Sequence, residues 1–314
     1  MKRITRKAAS AASPSILATP LRPLDDIAGK RVPEGLPPVI DAHVHFFPDG
    51  LFAVVWDWFE QFGWPVRYRM RSEQMATFLF DRGVRRVVGL HYAHKPGMAG
   101  ELNRFMADLC RRHKLICGMA TVFPGEPDAV SILEQAFADG LKGVKLHSHV
   151  QCFEMLSDAM DDIYRTCIAN GKPLIMHVGR EPKSPAYPCD PYELCRADIL
   201  EEVVRSYPRL KVCVPHLGAD EFEAYAELIV RYDNLWLDTS MMLANYFPAT
   251  PEPNLQAMRW DRIMYGSDFP NLPYAWDREL NRLWQASLPE ALLTHILEHN
   301  AIEFYNLEEH SAGV

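Results

Sequence analysis

The sequence predicts an α/β protein folded as a (β/α)8 TIM barrel, with an aromatic-rich insertion after strand 1. Three observations carry this expectation. Eight short apolar, β-branched runs recur between residues 39 and 268. Helical patterns separate most of them, and repeated βα units imply a parallel sheet that eight units can close. Polar side chains stand at the C-terminal ends of several runs, which in a closed barrel surround one mouth.

The predicted strands are Val39–His45, Arg85–His91, Ile116–Val122, Gly143–His147, Leu174–Val178, Lys211–His216, Leu235–Thr239 and Arg262–Asp268. Between them, Leu102–Arg112 shows one apolar helical stripe. Pro127–Phe137 opens on Pro-Asp and stops before Asp139-Gly140, a helix start and stop. Met160–Asn170, Ile199–Tyr207 and Glu221–Tyr232 continue the alternation. Pro289–His299 begins with a proline suited to a first helical position. A doubly wound open sheet is the competing architecture, but no Gly-x-Gly-x-x-Gly follows an early strand.

The chain has 314 residues, of which 24% are charged and 48% hydrophobic. That composition is globular, and the length suffices for one full core. A formal charge of -8 without a basic stretch in the body argues against a nucleic-acid face. No apolar run reaches the roughly 20 residues needed to span a bilayer. The seven cysteines are odd in number and form no Cys-x-x-Cys pair, so neither a disulfide framework nor a cysteine zinc site is expected. The expected compartment is the cytoplasm. Residues 1–36, basic and then rich in small residues, are expected to be a disordered tail without a signal-peptide core. Residues 37–314 are expected to form a single domain.

The chemistry starts at Asp41-Ala42-His43-Val44-His45. On a strand, side chains two apart share a face, so Asp41, His43 and His45 point the same way. Two neutral imidazoles so placed suit Zn²⁺ or a similar ion. By itself His-x-His is a weak motif. His147, His177, His216 and Asp268 also end strands, with His149 just beyond, and a barrel would bring them all to one mouth. His91, His94 and His113 read as hydrogen-bonded loop histidines, and Asp238 as a structural hydrogen-bond partner. Lys145 shares the face of His147 but lies two residues before the strand's end, below the mouth. Asp41 reads as support beneath the site.

As an ordered set these motifs resemble the amidohydrolase superfamily, and more narrowly its amidohydrolase-related branch, which includes aminocarboxymuconate-semialdehyde decarboxylase. The matching pieces are Asp41–His45, Gly143-Val144-Lys145-Leu146-His147, His177, Pro215-His216-Leu217-Gly218, Tyr265–Pro270, and Asn300-Ala301 with Phe304-Tyr305. The likeness runs from about Val39 to Leu307. It implies a barrel holding one divalent metal, usually zinc, though nitrogen and oxygen ligands accept manganese as well. The implied ligands are His43, His45, His177 and Asp268. His216 is implied to act on substrate or water. Such a set leaves an open position for a water of lowered pKa, which Asp268 can orient or deprotonate. Lys145 is poorly placed for the bridging carbamate of two-metal members.

The segment after strand 1 carries Phe46, Phe47, Phe52, Trp56, Trp58, Phe59, Phe62, Trp64 and Tyr68, closed by Arg67, Arg69 and Arg71. It offers a wall for a small aromatic or unsaturated substrate, or a contact for a homodimer. Trp56 and Arg67 are its candidate substrate contacts. His147 is placed to touch substrate or support the metal. Arg180, three residues past His177, is a candidate bidentate clamp for a substrate carboxylate. The expected function is hydrolysis of an amide, lactone or related bond by a metal-activated water. Two alternatives stay open: non-oxidative decarboxylation of an unsaturated or aromatic acid, and a non-catalytic barrel used as a binding module. The expected partner is a small molecule, not nucleic acid or membrane.

Overall fold

A computed structural model describes residues 21–180, 184–247 and 252–308. The chain forms the expected (β/α)8 barrel. Its strands are β1 (Val39–His45), β2 (Val84–Leu90), β3 (Ile116–Gly118), β4 (Val144–His147), β5 (Leu174–His177), β6 (Val212–Val214), β7 (Leu235–Asp238) and β8 (Ile263–Met264). All pairings between neighbours are parallel. β1–β3 and β4–β8 form two sheets. The ring closes where Ala120 pairs with Val144 and Val44 with Phe269.

The first helices are α1 (Asp49–Phe62), α2 (Ser72–Asp81), α3 (Ala99–Arg112) and α4 (Ala129–Ala138). α5 (Ser148–Gln151) and α6 (Asp158–Ala169) follow β4; α7 (Pro191–Leu194) and α8 (Ala197–Ser206) follow β5. α9 (Phe222–Arg231), α10 (Arg278–Gln285), α11 (Glu290–Thr294) and α12 (Asn300–Tyr305) complete the chain. The predicted helix at Pro289–His299 divides into α11 and a π-helical turn, His295–His299. Strands 3, 6 and 8 are shorter than their apolar runs suggest. Each run continues past its last ladder residue into loops that carry the site.

Apolar burial is layered. Val87, Leu146, Met176, Val214 and Leu237 join the shell between sheet and helices. Val88, Leu90, Cys117, Met119, Ile175, Cys213, Trp236 and Met264 form a second cluster with Phe304 and Tyr305 of α12. Side chains two positions on from Ile175 and Trp236, on the same face, are His177 and Asp238. The period of two thus stacks the polar layer directly above an apolar one.

The aromatic insertion is largely α1, whose Phe52 and Val55 are buried. Residues 1–20 of the expected tail lie outside the described residues. Residues 21–36 run along the barrel: Leu21 N bonds Gly63 O at 2.8 Å and Leu24 N bonds Pro273 O at 2.9 Å. Asp26 binds Arg67, Arg278 and the Ala275 amide, and Asp277 accepts from the Gly29 amide. Leu21, Leu24, Ala28, Val32 and Leu36 also pack against the core, so polar and apolar side chains dock this segment together. No helix among the described residues is long and apolar enough to cross a membrane.

Candidate active site

The ends of β1 and β8 bring three ligand atoms together. His43 Nε2 and His45 Nε2 lie 3.2 Å apart. Asp268 Oδ1 is 3.0 Å from His45 Nε2 and 3.3 Å from His43 Nε2. Three ligands about 2.1 Å from one ion, at angles between 90° and tetrahedral, stand about 3.0–3.4 Å from each other. The triangle therefore fits a divalent metal ion, and the two-nitrogen, one-carboxylate donor set suits zinc and its first-row neighbours.

The protonation states agree with that fit. Burial, then the charge of Lys145, pushes His43 well below the usual imidazole value. Burial does the same to His45 against the opposing pull of Asp268. Burial alone would raise Asp268, but the His45 hydrogen bond and the charges of His45 and His43 outweigh it and hold the carboxyl low. The site thus presents two neutral imidazoles and a carboxylate near neutral pH.

Asp238, at the end of β7, aims His43. Its Oδ2 accepts from His43 Nδ1 at 2.8 Å, which leaves the lone pair of the neutral ring on Nε2. Its Oδ1 accepts from the Ser240 amide at 3.1 Å, the His216 amide at 3.3 Å and the Ser240 hydroxyl. The structural hydrogen bond expected of Asp238 is therefore one to His43, a candidate ligand. Asp41 lies a step deeper. Its carboxylate accepts from the Ser267 hydroxyl at 2.5 Å, the Ser267 amide at 3.0 Å and the His43 amide at 3.1 Å. It ties β1 to the loop that carries Asp268. Gly266 lets that loop lie close, since a Cβ there would stand 2.7 Å from His43 Cβ.

His216 closes the site from β6. Its Nδ1 donates to Ser240 O at 2.9 Å, because a carbonyl only accepts. Nε2 is buried and has no hydrogen-bond partner among the described residues. The ring centroid is 5.5 Å from that of His43 and 4.7 Å from that of His177. His216 and Asp268 both have left-handed backbones, with φ of 55° and 68°. Non-glycine residues adopt this conformation at a cost of order 1–3 kcal/mol, and such strain concentrates at functional sites.

His177 is grouped differently from the expected ligand set. Its ligand atom lies within 4.8 Å of those of His147 and His149. Its ring stacks on His147 at a centroid distance of 3.9 Å and an angle of 11°. Parallel stacked rings direct their lone pairs in parallel, so these two do not converge on one ion. His147 buttresses His177. Burial first, and then the facing His177 and His149, hold His147 well below the usual imidazole value. His177 is the member of this trio that meets His216, at a centroid distance of 4.7 Å.

The predicted substrate contacts are distributed unevenly. Trp56 stacks on Phe52 at 5.0 Å; Phe52 meets Phe47 at 5.3 Å, and Phe47 stacks under His45 at 6.0 Å. Two rings, Phe52 and Phe47, thus link Trp56 to the triangle. Arg67 pairs with Asp26 at 2.9 Å and lies over Tyr68, so the N-terminal segment holds it. Arg180 lies 3.6 Å from Glu221 and over the Tyr192 ring. Both arginines are engaged by carboxylates remote in sequence, which spacing does not reveal.

Sequence reasoning missed Tyr92. It follows β2, buries its ring between His45 at 5.7 Å and His147 at 4.7 Å, and touches His94 at 4.9 Å. The available signal was its place two residues beyond a strand end. It also missed Tyr187, whose ring stands 5.4 Å from both His149 and Trp58. His91 bonds Asn103 at 3.1 Å, as a structural histidine does.

Residues 40–307 match the model of the amidohydrolase family. No curated protein matches the chain. Among solved structures, it is similar to the 5-carboxyvanillate decarboxylase of Novosphingobium aromaticivorans, complexed with manganese and 4-hydroxy-3-methoxy-5-nitrobenzoic acid. That likeness has 18% identity and a TM-score of 0.64, over 88% of this chain and 99% of the other. A probable 2-pyrone-4,6-dicarboxylic acid hydrolase of Acinetobacter baumannii shares 14% identity with a TM-score of 0.59, over 86% and 100%. A 2,6-dihydroxybenzoate decarboxylase shares 15% with a TM-score of 0.60, over 87% and 100%. At these identities the structures bear on the fold. The family model spans nearly the whole barrel, from β1 through α12, and the chain belongs to the amidohydrolase family.

Proposed function

We propose that this protein is a metal-dependent hydrolase that cleaves an amide, lactone or related bond in a small, aromatic or carboxylated substrate. The carrying observation is the pairing of the His43–His45–Asp268 triangle with a buried His216 Nε2 that no group among the described residues engages. His43, His45 and Asp268 would hold the ion, zinc or manganese, with His177 as the fourth ligand from β5. Bound there, the ion supplies Lewis acidity and a water of lowered pKa. The chain's own groups do the rest. Asp238 keeps His43 in the tautomer with Nε2 free. Asp268 offers a carboxylate oxygen to a water proton. His216, with Nδ1 held by Ser240 O, receives a proton at Nε2 and returns it to the leaving group. Tyr92, Phe47 and the stacked His147–His177 pair wall the mouth and exclude water.

A second reading is decarboxylation without redox change. The aromatic rings packed around His45, Phe47 at 6.0 Å and Tyr92 at 5.7 Å, favour it, since such rings suit an aromatic acid. It also needs cationic groups to seat the leaving carboxylate, and the engagement of Arg67 and Arg180 weighs against it. Incubation with panels of both substrate classes in ¹⁸O-water separates the two. Label in the product without CO₂ release supports hydrolysis; CO₂ release without label refutes it. A purified protein that carries no metal and takes up neither Zn²⁺ nor Mn²⁺ refutes both and leaves the binding-module alternative.

A further inference from the structure

The thiols of Cys152 and Cys189 meet at the rim of the mouth and take no part in the chemistry above. Cys152 follows α5 in a left-handed turn, φ 50°. Cys189 comes from the segment between β5 and α7. Each sulfur lies 3.6 Å from the same atom, the carbonyl oxygen of His149, so the two thiols share one acceptor. Both are partly exposed, whereas Cys117, Cys167, Cys195 and Cys213 are buried. Two residues before Cys189, the Tyr187 ring rests against His149 and Trp58. The contact therefore joins two loops of the mouth that no strand pairing connects.

We propose that Cys152 and Cys189 are a redox modification site that closes to a reversible disulfide, fastening the loop that carries Tyr187 to α5. The oxidant is of the peroxide class. The Cys152 thiolate attacks a peroxide oxygen, the O–O bond breaks, and the sulfur becomes a sulfenic acid while the other oxygen leaves as water. The Cys189 sulfur then attacks the sulfenic sulfur; the S–S bond forms, and the S–O bond breaks to release a second water. Two thiols lose two protons and two electrons, and one hydrogen peroxide becomes two waters. Burial and then the adjacent Cys152 thiol raise the Cys189 thiol far above its ordinary value, which gives it the second, resolving role. Dithiols reverse the link by exchange.

The test is thiol counting and peptide mapping on the full-length protein after stoichiometric hydrogen peroxide. The expected result is a fall from seven free thiols to five in denaturant, one cross-linked peptide joining residues 152 and 189, and full recovery with dithiothreitol. Cys152→Ser and Cys189→Ser should each keep all six remaining thiols free of cross-links, and Cys110→Ser should still lose two. Cys152→Ala is the second variant should the serine form fold poorly. Retention of seven thiols, a cross-link between Cys110 and Cys117 or between Cys189 and Cys195, or undiminished cross-linking in Cys152→Ser overturns the proposal.

Discussion

Asp238→Asn isolates the orientation of a proposed metal ligand from the ligand itself. Asparagine keeps the shape, and its carbonyl can still accept from His43 Nδ1, now without charge. Its amide nitrogen, however, must then face donors that now bond Oδ1: the Ser240 amide and hydroxyl and the His216 amide. Losing the carboxylate partner of a ligating histidine lowers metal affinity by about 10–100-fold, or about 1.4–2.7 kcal/mol. A misfacing amide beside three donors adds a folding cost of about 1–3 kcal/mol. Competition with a chromophoric chelator measures the first effect, and thermal denaturation of the metal-free protein measures the second. Asp238→Ala should keep the affinity loss and destabilise further, because four buried donors lose their acceptor. A folded Asp238→Asn protein that binds Zn²⁺ and Mn²⁺ within threefold of the parent would refute the reasoning. It would mean that His43 does not ligate through Nε2.

Four further outcomes follow from the geometry. His177→Ala should lose most of the metal, while His216→Ala should keep it and lose turnover by at least about 100-fold; metal analysis with initial rates decides, and equal metal loss in both would make His216 a ligand. Arg180→Ala should change KM less than about threefold, since Glu221 and Tyr192 already engage the guanidinium; a rise of about a hundredfold, as loss of a substrate salt bridge gives, would restore it as a clamp. Gly218→Ala should cost about 2–4 kcal/mol in a melting experiment, from left-handed strain and overpacking: φ is +86° and the added Cβ would stand 1.9 Å from Tyr225 Cδ2. Glu279 is buried, and burial raises its carboxyl well above 4.5 despite the Leu243 and Met241 amides it accepts. The folded state therefore holds the proton longer than the unfolded one. Its contribution is complete below about pH 4.5 and is lost as pH rises towards the folded value. Glu279→Gln should flatten the decline of Tm as pH rises above about 4.5, and an unchanged slope would show that other groups set it.

The barrel was legible because its signals are local. Apolar runs with β-branched residues mark strands, and a polar residue after such a run marks a strand end, as with His177 after Leu174-Ile175-Met176. The same argument found His43, His45, His216 and Asp268. Pairings across the fold escaped it. Arg180 meets Glu221 and Arg67 meets Asp26 through tertiary approach, which spacing along the chain does not register. The stacking of His147 on His177 depends on the register of β4 against β5, which places the two directly opposite. Asp238 was read as a hydrogen-bond partner, but its partner, His43, lies 195 residues earlier. Docking of residues 21–36 escaped because side-chain carboxylates, backbone groups and apolar residues scattered through a segment without regular secondary structure share it.

The closure of the ring between β8 and β1 has a consequence for how the protein is made. His45 and Asp268 lie 223 residues apart in the chain, yet their ligand atoms are 3.0 Å apart. Across that seam Ala42 N bonds Tyr265 O, His45 N bonds Phe269 O and Asp268 N bonds His43 O. Contacts of such long range form late, because loop closure precedes any return. A ribosome-bound chain that stops before residue 268 lacks the third corner of the triangle, however well its earlier βα units have formed. Completion of the triangle therefore waits for the last strand, and a chain released early or truncated there offers only His43, His45 and His177 of the proposed ligands.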